Sequence, residues 1–155
     1  MGLRDFWPYL VYATLAVHIR AECSGKRVAI DMSIYVMHFV KRHHFKIATT
    51  GDFTDVLEDV MNMLCGLRML GVSPIAVFDG KPLPAKAATQ ADRRQKAADA
   101  QSRVDAALRK QETPKDADTK LAATFSKAFK LQLIQKMRQA GVMYVVSPYE
   151  ADAQL

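Results

Sequence analysis

The chain has 155 residues, with 22 lysines and arginines, 16 aspartates and glutamates and a formal net charge of +6. Half of the residues are hydrophobic and a quarter are charged, which is typical of a globular domain and excludes a disordered chain. The two cysteines are too few for a disulfide framework or a cysteine-based zinc site. The length suits one domain, and the basic balance favours a polyanionic partner.

The positive charge is concentrated in residues 81–138. This segment holds 14 basic and 6 acidic residues, whereas the rest of the chain has a small net negative charge. One interpretation is a solvated helix face. The other is a basic arm that follows nucleic-acid phosphates, beside a body that holds something cationic.

An apolar run near the start of the chain, residues 6–17, resembles the core of a signal peptide. It is too short to span a bilayer, and no clean cleavage site follows it, so we expect neither a membrane segment nor a secretory signal. Phe6 stands where N-myristoylation requires serine or threonine. The expected location is therefore the cytoplasm or the nucleus.

Three short apolar runs predict buried parallel strands, because each is rich in β-branched residues and bounded by turn residues. They cover residues 27–31, 75–79 and 143–146.

Four segments between these strands have helical patterns. Apolar residues at spacings of three and four predict helices over 34–42 and 53–70. The alanine-, lysine- and arginine-rich segment 89–110 predicts a helix that faces solvent. A stripe of apolar residues spaced by four predicts a further helix from Asp116 or Asp118 to Ala140.

This order of elements predicts an α/β fold, with a parallel sheet flanked by helices. The basic region 81–120 is an insertion that need not pack fully on the sheet. His43 and His44 lack the spacing of metal ligands and are expected in a surface loop.

Carboxylates follow all three predicted strands. Asp31 and Asp79 close the first two, and Glu150 and Asp152 come just after the third. Open α/β sheets bind ligands at the carboxyl ends of their strands, so these side chains should meet at one edge. An oxygen-only cluster suits Mg²⁺ or Mn²⁺ better than zinc. Each residue alone could be a helix cap or a surface charge, but the coincidence at three strand ends favours a metal site.

Four motifs carry a family resemblance: Met1-Gly2-Leu3, residues 28–31, residues 77–82 and residues 147–155. Together they resemble the N-terminal region of the flap endonuclease/XPG superfamily, and they look most similar to its mismatch-repair 5′-exonuclease branch. The resemblance covers essentially the whole chain. It implies that residues 1–155 are the N-terminal part of a PIN-like, resolvase-like 5′-nuclease core, with residues 81–120 as a basic helical arch.

The resemblance also implies an activity, which is structure-specific, Mg²⁺-dependent 5′ hydrolysis of DNA phosphodiesters in repair or replication. Mn²⁺ is an alternative metal, and the nucleus is the expected location. Lys86 and Arg93 match the basic pair at the base of the family's arch, and a helix would place them on one face, about 10 Å apart along its axis. The catalytic and metal positions implied by the resemblance are Asp31, Asp79, Glu150, Asp152, Lys86 and Arg93.

Further DNA contacts are implied at Gly2, Lys81 and Arg94. The family places a base-stacking side chain near Met37, but Tyr35 and His38 lie beside it, so the stacking residue stays open. The expected partners are DNA with 5′ ends, flaps or nicks, together with replication and repair proteins, and we expect a monomer that does not bind membranes.

Family members continue beyond the position of Leu155 with further aspartates and a helix–turn–helix. The resemblance therefore implies a C-terminally truncated domain that lacks the second half of the metal site, with no or very weak cleavage. Three hypotheses follow: part of a longer nuclease, an inactive module that binds DNA or a partner, and a truncated product that folds poorly. Salt-dependent DNA binding without cleavage would favour the second hypothesis.

Overall fold

The computed structural model describes residues 18–155, so the predictions made for the apolar run 6–17 and for Gly2 lie outside the described residues. Three strands, β1 (Arg27–Asp31), β2 (Ser73–Phe78) and β3 (Met143–Val146), form one parallel sheet in the order β1–β2–β3. This confirms the predicted α/β fold.

Helices connect the strands. They are α1 (Ile19–Cys23), α2 (Met32–Arg42), α3 (His44–Thr50), α4 (Thr54–Met69), α5 (Ala87–Arg109), α6 (Asp116–Ala122) and α7 (Lys127–Gln139). Short 3₁₀ turns follow β2 and β3 at Pro84–Lys86 and Ala151–Ala153. Between 18 and 155, no helix is both long and apolar enough to cross a bilayer.

The main hydrophobic core lies between the sheet and helices α2, α4 and α7. Ile30, Ala76 and Tyr144 occupy paired positions on the three strands, and all of them contact this core. Leu64 of α4 and Leu133 of α7 are completely buried in it. The core thus fixes the strand ends relative to the helices that flank them.

The basic helix α5 packs away from the sheet, against α3 and α6. Only its small residues Ala100 and Val104 are buried, and they form a separate cluster with Ala48 and Ala122. This is the limited burial expected for a helix with few large apolar residues.

The prediction of one helix from Asp116 to Ala140 is wrong, because the chain turns between α6 and α7. The Ser126 hydroxyl caps α7 by accepting a hydrogen bond from the Phe129 N–H at 3.1 Å. In a helix with 3.6 residues per turn, each step of four residues moves the side chain about 40° around the axis. A long stripe of apolar residues spaced by four therefore cannot stay on one face of a single helix. The break lets α6 pack on α5 while α7 packs on the sheet.

Two further expectations are corrected. The surface loop predicted at His43 and His44 is the junction of α2 and α3, and both rings have partners. His43 Nε2 lies 2.8 Å from Asp59 Oδ2, and His44 Nδ1 lies 2.9 Å from Thr119 Oγ1. The strand β3 was predicted to be buried but is largely exposed, because it is an edge strand of the described sheet.

Candidate active site

Asp31 and Asp79 lie at the carboxyl ends of β1 and β2. Because β1 runs into α2 without a loop, Asp31 is also the N-cap of that helix, and its Oδ1 accepts the Ser33 N–H at 2.8 Å. The Ser33 hydroxyl donates to Oδ2 of Asp79. The two carboxylates are therefore linked through one serine, and the structure shows the capping role of Asp31, whereas its role as a metal ligand stays a prediction.

The edge of the sheet is crowded with negative charge. The pKa of Asp31 is raised, mainly because the side chain is partly removed from water, and the charges of Asp79 and Asp152 raise it further. Hydrogen bonds from the backbone N–H groups of Ser33 and Ile34 oppose this shift. A cation placed here would relieve the unfavourable charge.

Glu150 forms an ion pair with Lys86, the lysine predicted to be catalytic. Lys86 Nζ lies 2.5 Å from Glu150 Oε1, and this hydrogen bond is the main reason that the pKa of Lys86 is raised. Glu150 and Asp152 lie at and within the 3₁₀ turn Ala151–Ala153, so the chain is still turning where both must approach the site.

The loops after β2 and β3 are bonded directly to each other. Gly80 N–H donates to Tyr149 O at 2.5 Å, and Lys81 N–H donates to Pro148 O at 2.9 Å. A Cβ on Gly80 would lie 1.7 Å from the main-chain oxygen of Ser147, so the close approach requires glycine. This contact sets the distance between the segments that carry Asp79 and Glu150.

The four predicted carboxylates share this edge, but the structure does not gather them into a ligand set. In residues 18–155, no three or more side chains of histidine, cysteine, aspartate or glutamate converge closely enough to hold a metal ion. Glu150 is turned toward Lys86, and Asp79 accepts from Ser33 at Oδ2 and from the Ala151 N–H at Oδ1. The metal site stays a prediction.

Lys86 and Arg93 have different surroundings. Lys86 ends a 3₁₀ turn and precedes the first residue of α5, so the two side chains are not on one continuous α-helix as expected. Arg93 and Arg94 line a groove together with Phe53 and Phe125. The joint action of Lys86 and Arg93 on one phosphate stays a prediction.

The side chains considered for base stacking differ in exposure. Tyr35 and His38 are exposed on α2, whereas Met37 is half-buried. The His38 ring packs edge-on against Phe39, with 5.5 Å between centroids. Tyr35 is 43% exposed, and the exposed Lys81 stands on the loop after β2.

Sequence reasoning missed two residues of this region, Ser33 and Lys130. Lys130 Nζ donates to the main-chain oxygen of Asp79 and lies 5.8 Å from the centroid of the Phe78 ring. Burial lowers the pKa of Lys130, as does the charge of Lys127, while Asp79 opposes the shift. The position of Ser33, two residues after a strand-end aspartate, was a usable signal, whereas nothing in the sequence marks Lys130.

The chain is similar to proteins of known families. Residues 1–100 match the XPG N-terminal domain family. Exodeoxyribonuclease 1 of Schizosaccharomyces pombe is 30% identical over 158 residues, which is 100% of this chain and 27% of that protein. Exonuclease 1 of Arabidopsis thaliana is 32% identical over 162 residues, which is 100% of this chain and 21% of that protein. Flap endonuclease 1 of Trypanosoma brucei brucei is 35% identical over 141 residues, which is 84% of this chain and 35% of that protein.

The chain spans 21–35% of the length of these curated relatives. A similar fold is found in a solved structure described as the catalytic core of Rad2 in complex with DNA substrate. The similarity has a TM-score of 0.62 at 20% identity, and it covers 98% of this chain and 38% of that one.

Proposed function

The chain belongs to the XPG N-terminal domain family, and we propose that it is the N-terminal part of a structure-specific 5′ nuclease that hydrolyses DNA phosphodiesters. The relatives bear the names exonuclease and flap endonuclease, which supports this substrate class. Acidic side chains at three strand ends would bind metal ions, and the basic helix beside them would bind the DNA phosphates, which is the arrangement of charges that metal-dependent phosphodiester hydrolysis requires. This juxtaposition is the observation on which the proposal rests.

We propose Mg²⁺ as the cofactor, with Mn²⁺ as a substitute. The donors at the strand ends are carboxylate oxygens, which these ions prefer. Partial burial raises the pKa of Asp31, and the nearby charges of Asp79 and Asp152 raise it further, so a cation would stabilise the ionised carboxylate. Bound divalent ions would supply a nucleophilic hydroxide and stabilise the leaving oxygen. The residues that would hold them are Asp31, Asp79, Glu150 and Asp152.

The chain's own residues would orient the DNA. Lys86 is half-buried and hydrogen-bonded to Glu150, so it lies where a scissile phosphate would approach the carboxylates. Arg93 and Arg94 border the groove beside α5 and would contact the phosphates. Tyr35 would stack on a base at the end of the duplex.

Not all charges of α5 are equally available to DNA. Lys96 lies 2.8 Å from Asp92, and Arg103 lies 2.7 Å from Asp118. These exposed pairs contribute little to stability and would compete with phosphate contacts. We therefore assign more of the binding to Arg93 and Arg94.

A second candidate is a DNA-binding module without catalysis. This candidate is supported by the ion pair between Lys86 and Glu150. In that pair a predicted metal ligand is bonded to a predicted catalytic cation, so neither side chain is free for its role in catalysis. A DNA-binding role, a location in the nucleus and contacts with replication or repair proteins are common to both candidates.

The test measures binding and cleavage of labelled 5′-flap and recessed duplex DNA over a range of salt and Mg²⁺ concentrations. The nuclease proposal expects salt-dependent binding, together with very weak cleavage that requires Mg²⁺ and is lost in Asp79→Asn. Binding with no cleavage at any Mg²⁺ concentration supports the second candidate. Cleavage that persists in EDTA or in Asp79→Asn contradicts the proposed site, and absence of DNA binding contradicts both candidates.

A further inference from the structure

Ser33 makes two hydrogen bonds that join the ends of neighbouring strands. It is the second residue of α2, and its N–H donates to Asp31 Oδ1 at 2.8 Å. Its hydroxyl donates to Asp79 Oδ2 across the gap between β1 and β2. The backbone bond would survive replacement of the side chain, whereas the bond to Asp79 depends on the hydroxyl.

Asp79 needs such an anchor because it stands in a loop beyond the last residue of β2. Ala151 N–H donates to its Oδ1 at 2.8 Å, and Lys130 holds its main-chain oxygen. Ser33 supplies the contact to the other carboxylate oxygen, and it comes from the helix that Asp31 caps. The three donors restrain the side chain and the backbone of Asp79 from three different segments.

The surroundings strengthen the serine contact. Ser33 and Asp79 line a cavity together with Val36, Phe78 and Phe129. Hydrogen bonds to an ionised acceptor are stronger than neutral ones, and an apolar neighbourhood increases their electrostatic strength. Each carboxylate oxygen has two lone pairs, so an oxygen that accepts from Ser33 can still bind a cation.

We propose that Ser33 is a positioning residue, which restrains the carboxylate of Asp79 beside that of Asp31 at the sheet edge where a divalent ion would bind. The role of the metal in this proposal rests on the proposed function, whereas the effect of Ser33 on the orientation of Asp79 rests only on the hydrogen bonds described above. Loss of a side chain that orients a metal ligand typically lowers metal affinity by about 10- to 100-fold. We expect the lower end for Ser33→Ala, because Ala151 and Lys130 still hold Asp79.

The first measurement is made without metal, on the backbone amide resonance of Ala151 in the full chain. This N–H donates to Asp79 Oδ1, so it reports the orientation of the Asp79 carboxylate. Ser33→Ala should shift the Ala151 amide proton and speed its exchange with solvent, whereas Ser33→Thr, which keeps a hydroxyl, should leave both near wild type. Ser102→Ala is the matched control, because Ser102 is an exposed helical serine that bonds to Ala98 O.

The second measurement is Mn²⁺ affinity, by electron paramagnetic resonance of the free ion. Ser33→Ala should bind Mn²⁺ about 10-fold more weakly, and Ser33→Thr and Ser102→Ala should stay within about twofold of wild type. Circular dichroism checks that each variant is folded. Ser33→Cys, a weak donor of similar size, replaces Ser33→Ala in both measurements if the alanine variant does not fold.

The amide measurement and the Mn²⁺ measurement test the positioning role of Ser33 and the proposed metal site separately. If the wild-type chain does not bind Mn²⁺, the metal site of the proposed function fails, and the Ala151 amide still decides whether Ser33 orients Asp79. An unchanged Ala151 amide in Ser33→Ala overturns the positioning role. So does unchanged Mn²⁺ affinity in Ser33→Ala when the wild type binds the ion.

Discussion

Replacing Gly80 with alanine would place a Cβ atom 1.7 Å from the Ser147 main-chain oxygen and 2.7 Å from that of Pro148. Ordinary contact begins near 3.4 Å, so one of the two loops must move by about 1.7 Å. Both neighbours are backbone atoms and cannot rotate away. The movement strains or breaks the hydrogen bonds that Gly80 and Lys81 donate to the loop after β3.

The expected loss has two parts. Overpacking of a tight site typically costs about 1–3 kcal/mol. Each hydrogen bond that is lost adds about 0.5–1.5 kcal/mol. Gly80→Ala should therefore lower the free energy of unfolding by about 2–6 kcal/mol if both bonds are lost, and by about 1.5–4.5 kcal/mol if the loops retain one of them.

Urea unfolding followed by far-UV circular dichroism measures this difference. Gly66→Ala is the matched control, because Gly66 lies inside α4 and a Cβ there meets nothing within 4 Å. That control should gain about 0.5–1 kcal/mol, since alanine is the better helix former. A free energy of unfolding for Gly80→Ala within about 0.5 kcal/mol of wild type would refute the close approach of the two loops.

Three further variants test the electrostatics and the packing. Asp31→Asn should raise the free energy of unfolding at pH 7 in the absence of divalent ions. The raised pKa of Asp31 means that its ionised form destabilises the folded state, and asparagine removes this charge while it still caps α2. The gain in the free energy of unfolding should vanish at a pH low enough to protonate the Asp31 carboxyl of the wild type in both the folded and unfolded states. Thr119→Val should cost about 1–3 kcal/mol in urea unfolding, because it removes the buried hydroxyl 2.9 Å from His44 Nδ1, and a neutral result would contradict that bond. Leu133→Ala should cost about 2–5 kcal/mol, since the side chain is fully buried, and a loss below 1 kcal/mol would place Leu133 outside the core.

The regular elements were largely predictable because local patterns determine them. Runs of β-branched residues marked all three strands, and the spacing of apolar residues located α4 within one residue at each end. The same criterion failed between Ala123 and Ser126, where the chain leaves the helical conformation after α6 and Ser126 caps the start of α7. Helix α3 was missed because its seven residues are too few to show a clear period.

The sequence by itself determined the family and the position of an acidic residue at or beyond the end of each strand, because motif identity and strand order are properties of the chain alone. Only the tertiary structure decided which side chains meet. Lys86 pairs with Glu150, 64 residues away, and Ser33 bonds to Asp79, 46 residues away. The first contact depends on how closely the loops after β2 and β3 approach each other, and the absence of a side chain at Gly80 allows that approach. The second contact depends on the pairing of β1 with β2, which brings the start of α2 beside Asp79. The sequence therefore identified the carboxylates, and the packing of the loops decided how they are held.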